Sequence, residues 1–357
     1  MRLNENTLEL MKELTQIVGV SGREVEVSKA LQNHYRKYTD TVIFDNLGSV
    51  FAVKKSKKEN APKVMVCGHM DEFGYIVKEI TKEGLVKIMP LGGQVKQSLL
   101  AKRVKLATAD KKEFLGTVVS SSKDVNSKVL DGDKLLVDLG ASSKEQVLGL
   151  GVNLGDAVVV DGTLELLLNG ERIVSKAWNN RYGCIMGVEV LEALKDEELD
   201  FDLYVGATVQ EEVGLRGAIT ATNLIEPDMG IVMDCLVAND ITGEDDGVGK
   251  LGEGILINYY DKSMMPNRAL LNHLATTCKE NDIKHQYYFS MADGDGGWIH
   301  KLLKGCPTLT ANICGRNLNT NSSIIDANDY LAAKDAIVKV IKSLTPEKIE
   351  AFKCENR

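Results

Sequence analysis

Leu8, Met11, Leu14 and Ile17 recur at helical spacing, which predicts an amphipathic helix at the start of the chain. Ser21 followed three residues later by Glu24 has the form of a capping box. The helix it would open carries Val25, Val27, Leu31 and Tyr35 towards Tyr38. The apolar runs then shorten to strand length at 41–44, 50–53 and 63–67. The last is almost continuously apolar, as a strand covered on both faces must be, and it runs into Gly68-His69-Met70-Asp71-Glu72.

From residue 73 to 162 the texture is one of short strands separated by turns, at 75–79, 85–89, 104–107, 114–119, 135–137 and 157–160. This predicts a small all-β insert, a barrel or sandwich. After Ser175 the chain returns to α/β alternation. A helix is expected at 181–194, a strand at 203–209, a helix near 215–222 and a strand at 229–233. A last helix from Asn328, carrying Leu331, Ile337, Val340 and Ile341, would close the fold. The architecture predicted is one α/β domain, residues 1–72 plus 163–357, interrupted by a β domain at 73–162.

Polar clusters stand where the strand patterns end, which is where open α/β sheets place ligands. His69 with Asp71 two residues on suits either a metal ligand with an orienting carboxylate or a polar loop. Gln210-Glu211-Glu212-Val213-Gly214 offers one carboxylate for a metal and one for a proton, or a solvated acidic turn. Asp234 leaves an apolar strand as a ligand or a helix cap. The amides of Asn179 and Asn180 precede a helix, where an N-cap is the ordinary explanation. Gly294-Asp295-Gly296-Gly297 follows no buried strand and does not read as a phosphate loop. Ser322-Ser323 lacks a histidine and a nucleophile elbow. Asp45-Asn46-Leu47-Gly48 reads as a plain turn, and His285 as a strand-edge residue.

Composition narrows the classes. Lys+Arg 43 against Asp+Glu 51 leaves a net charge of −8, which argues against nucleic acid or anionic membranes as partners. No apolar run approaches the about 20 residues of a membrane span. The first residues lack a basic start and a signal-type core, so the expected location is cytoplasmic. Seven cysteines without a CxxC pair exclude a cysteine zinc site and a disulfide framework, and they read as small buried hydrophobes. Histidine is scarce: there are five, and none follows His300.

In order and spacing, these segments resemble the co-catalytic dimetal aminopeptidases, which include glutamyl aminopeptidase and the deblocking, tetrahedral-particle aminopeptidases. The resemblance is carried by Gly19-Val20-Ser21-Gly22 with Glu24, Gly68-His69-Met70-Asp71-Glu72 and Asp138-Leu139-Gly140-Ala141. Residues 210–218 and Asp295 with His300 complete it. It implies a phosphorylase/hydrolase-like zinc-exopeptidase domain with an inserted β-barrel. By this resemblance His69 is a metal ligand and Asp71 polarises it. Glu211 is the general base, Glu212 a ligand of the other metal and Asp234 a ligand beside His69. The family carries a bridging Asp where this chain has Asn179, and a ligand His where it has Asn319.

An amide offers one neutral oxygen where a bridging carboxylate offers two anionic ones, and amide oxygen suits zinc less than imidazole does. The expectation is one divalent metal (Zn, Co or Mn) per subunit at His69 and Asp234, with the Asn179 oxygen as a weak further ligand, and with the position of Glu212 and Asn319, itself a weak ligand, weak or empty. The function expected is removal of N-terminal residues from peptides by metal-activated water, impaired by these substitutions. The alternative is a non-catalytic homologue that binds, regulates or assembles. A glycanase would need carboxylates facing each other across a sugar, whereas Glu211 and Glu212 are adjacent. By resemblance the partners are peptides and further copies of the chain, in a dimer or a dodecamer assembled through the β domain.

Overall fold

A computed structural model describes residues 3–93, 99–119, 135–241 and 247–355. Helix α1 (Glu5–Gln16) is capped by Asn4, whose side chain accepts from the Thr7 N–H, and it buries Leu10, Met11 and Leu14. Helix α2 (Val25–Tyr35) follows, but the capping box expected at Ser21 and Glu24 does not form, since α2 starts without a side-chain cap. The Ser21 hydroxyl donates instead to Asp71 at 2.6 Å, and Glu24 accepts from the Gln210 N–H at 3.0 Å. The physical reason is burial. Helix-end N–H groups in reach of water lose little without a cap, whereas the buried carboxylate of Asp71 needs donors.

Strands β1 (Val42–Phe44), β2 (Val50–Lys54) and β3 (Lys63–His69) come next. The turn between β1 and β2 is as expected, with Asp45 Oδ1 accepting from the N–H groups of Leu47, Gly48 and Ser49. The β-rich stretch supplies β4 (Gly74–Ile80), β5 (Leu85–Leu91), β6 (Arg103–Ala107), β7 (Glu113–Val119), β8 (Leu136–Asp138) and β9 (Ala157–Val160). They close into a barrel in the order β4-β5-β8-β7-β6-β9. Alternate side chains fill it, among them Val77, Val86, Ile88, Val104, Leu106, Val118, Val137 and Val158. Short helix α3 (Lys144–Gly149) lies between β8 and β9. Val18 and Val20 pack against Ala157 and Val159, fastening the barrel to the segment before α2.

The remainder is β10 (Glu165–Leu167), β11 (Arg172–Ser175), α4 (Trp178–Ala193), β12 (Asp202–Thr208), α5 (Arg216–Ile225), β13 (Met229–Val232) and β14 (Cys235–Val237). Then follow β15 (Ile255–Tyr260), α6 (Arg268–Glu280), β16 (His285–Phe289), α7 (Gly296–Ile299), β17 (Thr308–Arg316), β18 (Ser323–Asp326), α8 (Ala327–Lys342) and α9 (Pro346–Cys354). His285 thus opens β16. The helix expected from Asn328 is α8, but it is not the last. Helix α9, capped by Thr345 with Pro346 at its start, buries Ile349 and Phe352, two anchors too few to show a period.

The large sheet runs β1-β2-β12-β3-β13-β17-β18-β11-β10, with β14 and β15 also paired to β17 and β16 to β15. Its centre, β12-β3-β13-β17, is parallel. All seven residues of β12 are buried, as coverage on both faces demands. One face carries α1, α2, α4, α6 and α8, where Met11, Leu31, Ile185, Leu274 and Ile337 join the main core. The other carries α5 and α7 over Met65, Cys67 and Val232. Among the described cysteines six are buried and Cys354 is exposed, all as free thiols.

Candidate functional site

The parallel strands end on one edge and deliver the polar clusters together. His69 is the last residue of β3 and lies in register with Thr208, the last of β12. Glu211 and Glu212 occupy the turn that follows β12, and Asp234 stands between β13 and β14. Helix α4 approaches closely here because two glycines face each other. A Cβ on Gly68 would lie 2.7 Å from the Cα of Gly183 and 2.8 Å from the Met233 carbonyl.

The two amides at the start of α4 have separate tasks. Asn180 is fully buried; its Oδ1 accepts from the Gly183 N–H at 3.0 Å and its Nδ2 donates to the Met233 carbonyl at 2.8 Å. It performs the capping expected of the pair and ties α4 to the end of β13. Asn179, joined to it by a cis peptide, leaves the helical path and lines the site. Its Nδ2 donates to Asn319 Oδ1 at 3.4 Å. Asn319 and Asn317 both hold positive φ, at 65° and 53°, around the buried Leu318. Asparagine enters that region more readily than most residues.

The imidazole of His69 is buried. Its Nδ1 lies 3.1 Å from the Asp71 carbonyl and 3.3 Å from Asp71 Oδ1, and its Nε2 lies 3.7 Å from Glu211 Oε2. Asp71 also accepts from the Ser21 hydroxyl and from the N–H groups of Glu211 at 3.0 Å and Glu212 at 3.1 Å. One carboxylate therefore sets both the ring and the glutamate turn. Donor atoms of His69, Glu211 and Glu212 lie within 4.8 Å of one another. Asp234 lines the same cavity, and its Oδ1 accepts from the Cys235 N–H at 2.7 Å.

The structure adds Asp295, whose setting in Gly294-Asp295-Gly296-Gly297 gives no ligand pattern of its own. It is buried and accepts from the Thr208 hydroxyl at 2.5 Å, while its Oδ1 has no hydrogen-bond partner. Its only sequence signal was its place in the family resemblance. His300, which the resemblance pairs with Asp295, lines the cleft at the other end of the sheet. Beneath the site, Lys176 Nζ lies 2.8 Å from both oxygens of Glu72, with Arg181 at 3.4 Å, all three buried.

Asp71, Glu211, Glu212, Asp234 and Asp295 thus surround one imidazole. Burial pushes Glu211 up to about 8 and Asp295 up to about 6. Burial and the charge of Glu211 raise Glu212, and burial raises Asp234. For His69, burial opposes the charge, but Glu211, Asp71 and Asp234 outweigh it and hold its pKa well above the usual range. For Asp71, burial is likewise outweighed, by His69 and the Ser21 hydroxyl, and its pKa falls. A buried anionic cluster with an imidazole, and with Glu212 Oε1 lacking any hydrogen-bond partner, is a donor set that fits a divalent cation. The Asn179–Asn319 end, with two neutral amides bonded to each other, fits one less well.

A cavity of about 410 Å³ opens at this cluster. A larger cleft of about 700 Å³ lies at the opposite end of β13 and β17, beside Asp228 and Thr308, and holds none of the clustered carboxylates.

A family model described as M42 glutamyl aminopeptidase matches residues 48–335. The glutamyl aminopeptidase of Lactococcus lactis subsp. cremoris is 34% identical over 349 residues, covering 96% of this chain and 98% of that protein. A TET aminopeptidase from a marine-sediment Thaumarchaeota archaeon shares the fold with a TM-score of 0.93 at 32% identity, covering 98% of this chain and 100% of that one. PhTET1-12s, described as a dodecamer, gives 0.85 at 25% identity and covers 96% and 100%.

Proposed function

Since the chain belongs to the M42 glutamyl aminopeptidase family, we propose that it is a metal-dependent aminopeptidase with a weakened centre. It releases N-terminal residues from peptides, using one divalent cation, zinc, cobalt or manganese, per subunit at His69 and Asp234. The observation that supports a cation at this centre is the convergence of donor atoms of His69, Glu211 and Glu212 within 4.8 Å at the edge of a parallel sheet, in a cavity that Asp234 also lines.

His69 and Asp234 would hold the cation, which would supply Lewis-acid polarisation of the scissile carbonyl and of the attacking water. Glu211 takes the proton that the water gives up and returns it to the leaving amine. Asp71 acts through others: it holds the Nδ1 side of His69, leaving Nε2 towards Glu211, and it fixes the backbone of the Glu211-Glu212 turn. Glu212 is a ligand of a second position that Asn319 leaves weak or empty, since the single amide oxygen of Asn179 can serve one metal and not two.

The second reading, a non-catalytic homologue that binds peptides or assembles, is favoured by the hydrogen bond between those two amides. Metal content per subunit, measured with hydrolysis of aminoacyl-anilides in added Zn²⁺, Co²⁺ or Mn²⁺, separates the readings. One metal and slow turnover is the expected result. Two tightly held metals with brisk turnover would overturn the weakened centre, and absence of both metal and turnover would establish the second reading.

In this proposal the inserted β domain, residues 73–162, serves self-association into a dimer or a larger shell. The dodecameric relative supports it, as do Leu115, Leu148 and Leu154, apolar side chains exposed on that domain. Among the described residues no helix is long and apolar enough to cross a membrane. The free, buried cysteines agree with a reducing cytoplasm.

A further inference from the structure

The cavity at the carboxylate cluster is most polar at one end. There it is lined by His69, Glu211, Glu212 and Asp234, with the amides of Asn179 and Asn319. Away from them the wall is largely apolar, made by Leu236, Val237, Val248, Tyr288, Phe289 and Leu318, with Asn239 and Ser290 as its neutral polar members. The Tyr288 hydroxyl is already spent, donating to the Val237 carbonyl at 2.9 Å. The charged group on that side is Asp293, which is exposed and paired with Lys262 at 3.1 Å. Among the described residues the lining contains no lysine and no arginine.

An α-amino group and a scissile bond held at the carboxylate end would point the first side chain of a peptide into this apolar part. An acidic side chain would lose its hydration there, find no lysine or arginine among the described lining residues and lie near carboxylates of the same sign. A basic one would be drawn towards the carboxylates at the polar end but would lose its hydration against the apolar wall, where Asp293 is solvated and already paired. An apolar one would exchange water for Leu, Val, Tyr and Phe surfaces, which is favourable in proportion to the area covered. The volume, about 410 Å³, is within the range of small-molecule sites and accommodates a large side chain.

We infer that this site selects peptides whose N-terminal side chain is apolar, such as leucine, methionine or phenylalanine, and discriminates against the acidic residue for which the family is described. The inference rests on the peptidase reading above for the direction in which a peptide enters.

The test is calorimetric titration of Leu-Ala, Lys-Ala and Glu-Ala into the full-length protein with saturating Mn²⁺, run beside hydrolysis of the Leu, Lys and Glu 4-nitroanilides. Leu-Ala should bind more tightly than Glu-Ala by about tenfold or more, the scale of discrimination that apolar pockets reach, and Lys-Ala should also bind more weakly than Leu-Ala. Equal or tighter binding of Glu-Ala or Lys-Ala would overturn the inference, and so would no binding of any of the three. Selective binding of Leu-Ala with no hydrolysis would leave it standing and refute the peptidase reading. Turnover with a preference for Glu would do the reverse. Val248→Lys places a cation in the half-buried wall and should narrow or invert the Leu to Glu ratio. A folded variant with an unchanged ratio would show that this wall does not meet the side chain.

Discussion

The side-chain N–H of Asn179 donates to the side-chain oxygen of Asn319 across 3.4 Å, joining the two amides that the resemblance sets at ligand positions, while Asn179 Oδ1 is buried without a partner. A carboxylate and an imidazole at the same places would both be turned to a cation. Asn179→Asp combined with Asn319→His should therefore raise bound metal towards two per subunit. Hydrolysis should rise at least by the about 10- to 100-fold that even an outer partner of a metal ligand is worth. The backbone at Asn319, with φ of 65°, tolerates the change, because histidine is among the residues enriched there. Metal analysis of the double variant checks this, and unaltered stoichiometry would remove the roles assigned to both positions.

Asp71 accepts from the Ser21 hydroxyl and from two N–H groups of the glutamate turn while lying beside the His69 ring. Asp71→Asn would turn an NH₂ towards donors. Metal affinity should fall by about 10- to 100-fold, and Ser21→Ala should cost less. Competition with a metal chelator measures both.

The facing glycines make a stability prediction. In Gly68→Ala the new methyl would lie 2.7 Å from the Gly183 backbone and 2.8 Å from the Met233 carbonyl, neither of which is a side chain that can swing aside. The expected cost is about 1–3 kcal/mol or more. Urea unfolding should report a lower midpoint, and an unchanged midpoint would mean that α4 stands further from β3.

Glu72 is the anion that both Lys176 and Arg181 face, and all three side chains are buried. Glu72→Gln would leave two buried cations without an anion, at a cost of about 3–5 kcal/mol. Glu72→Asp, which keeps the charge, should recover part of it. Thermal unfolding of the two variants side by side tests the charge against the shape.

His273 supplies a pH dependence away from the site. Burial and the nearby Lys348 lower its pKa below the usual 6.5. Below that value the unfolded chain binds this proton and the folded chain resists it. Stability from the neutral ring is therefore complete above 6.5 and declines as the pH falls towards the lowered folded value. His273→Gln can keep the hydrogen bond to the Ser343 hydroxyl, 2.7 Å away. It should flatten the fall in urea midpoint on acidification, and an equally steep fall in the variant would place the proton elsewhere.

Patterns local to the chain were legible in advance. The alternation that closes the β-barrel and the continuous apolar runs of β3, β12 and β13 follow from side-chain periodicity, and so does helix α8. Ser21 and Glu24 misled because a capping box is a local signal, while both side chains answer to donors and acceptors far along the chain. Asn179 and Asn180 looked equivalent as caps; only the arrival of the Met233 carbonyl and the Gly183 N–H gives Asn180 the structural task. Asp295 carried little signal on its own because it follows no apolar strand, and its hydrogen bond to Thr208 exists only across the sheet.

By itself the sequence determined which chemical groups this protein can bring to a site: one imidazole at His69, the carboxylates of Asp71, Glu211, Glu212 and Asp234, and two amides at Asn179 and Asn319, with no histidine after His300 to replace the second. Residue type is a local property, so it needs no fold to be read. The tertiary structure alone decided that these groups share one edge, that Asp295 joins them, that Glu72 holds Lys176 and Arg181 below, and that Leu236, Val248 and Leu318 make the neighbouring wall apolar. Those are relations of distance and burial between residues remote in sequence, and they exist only once the parallel strands have set their common edge.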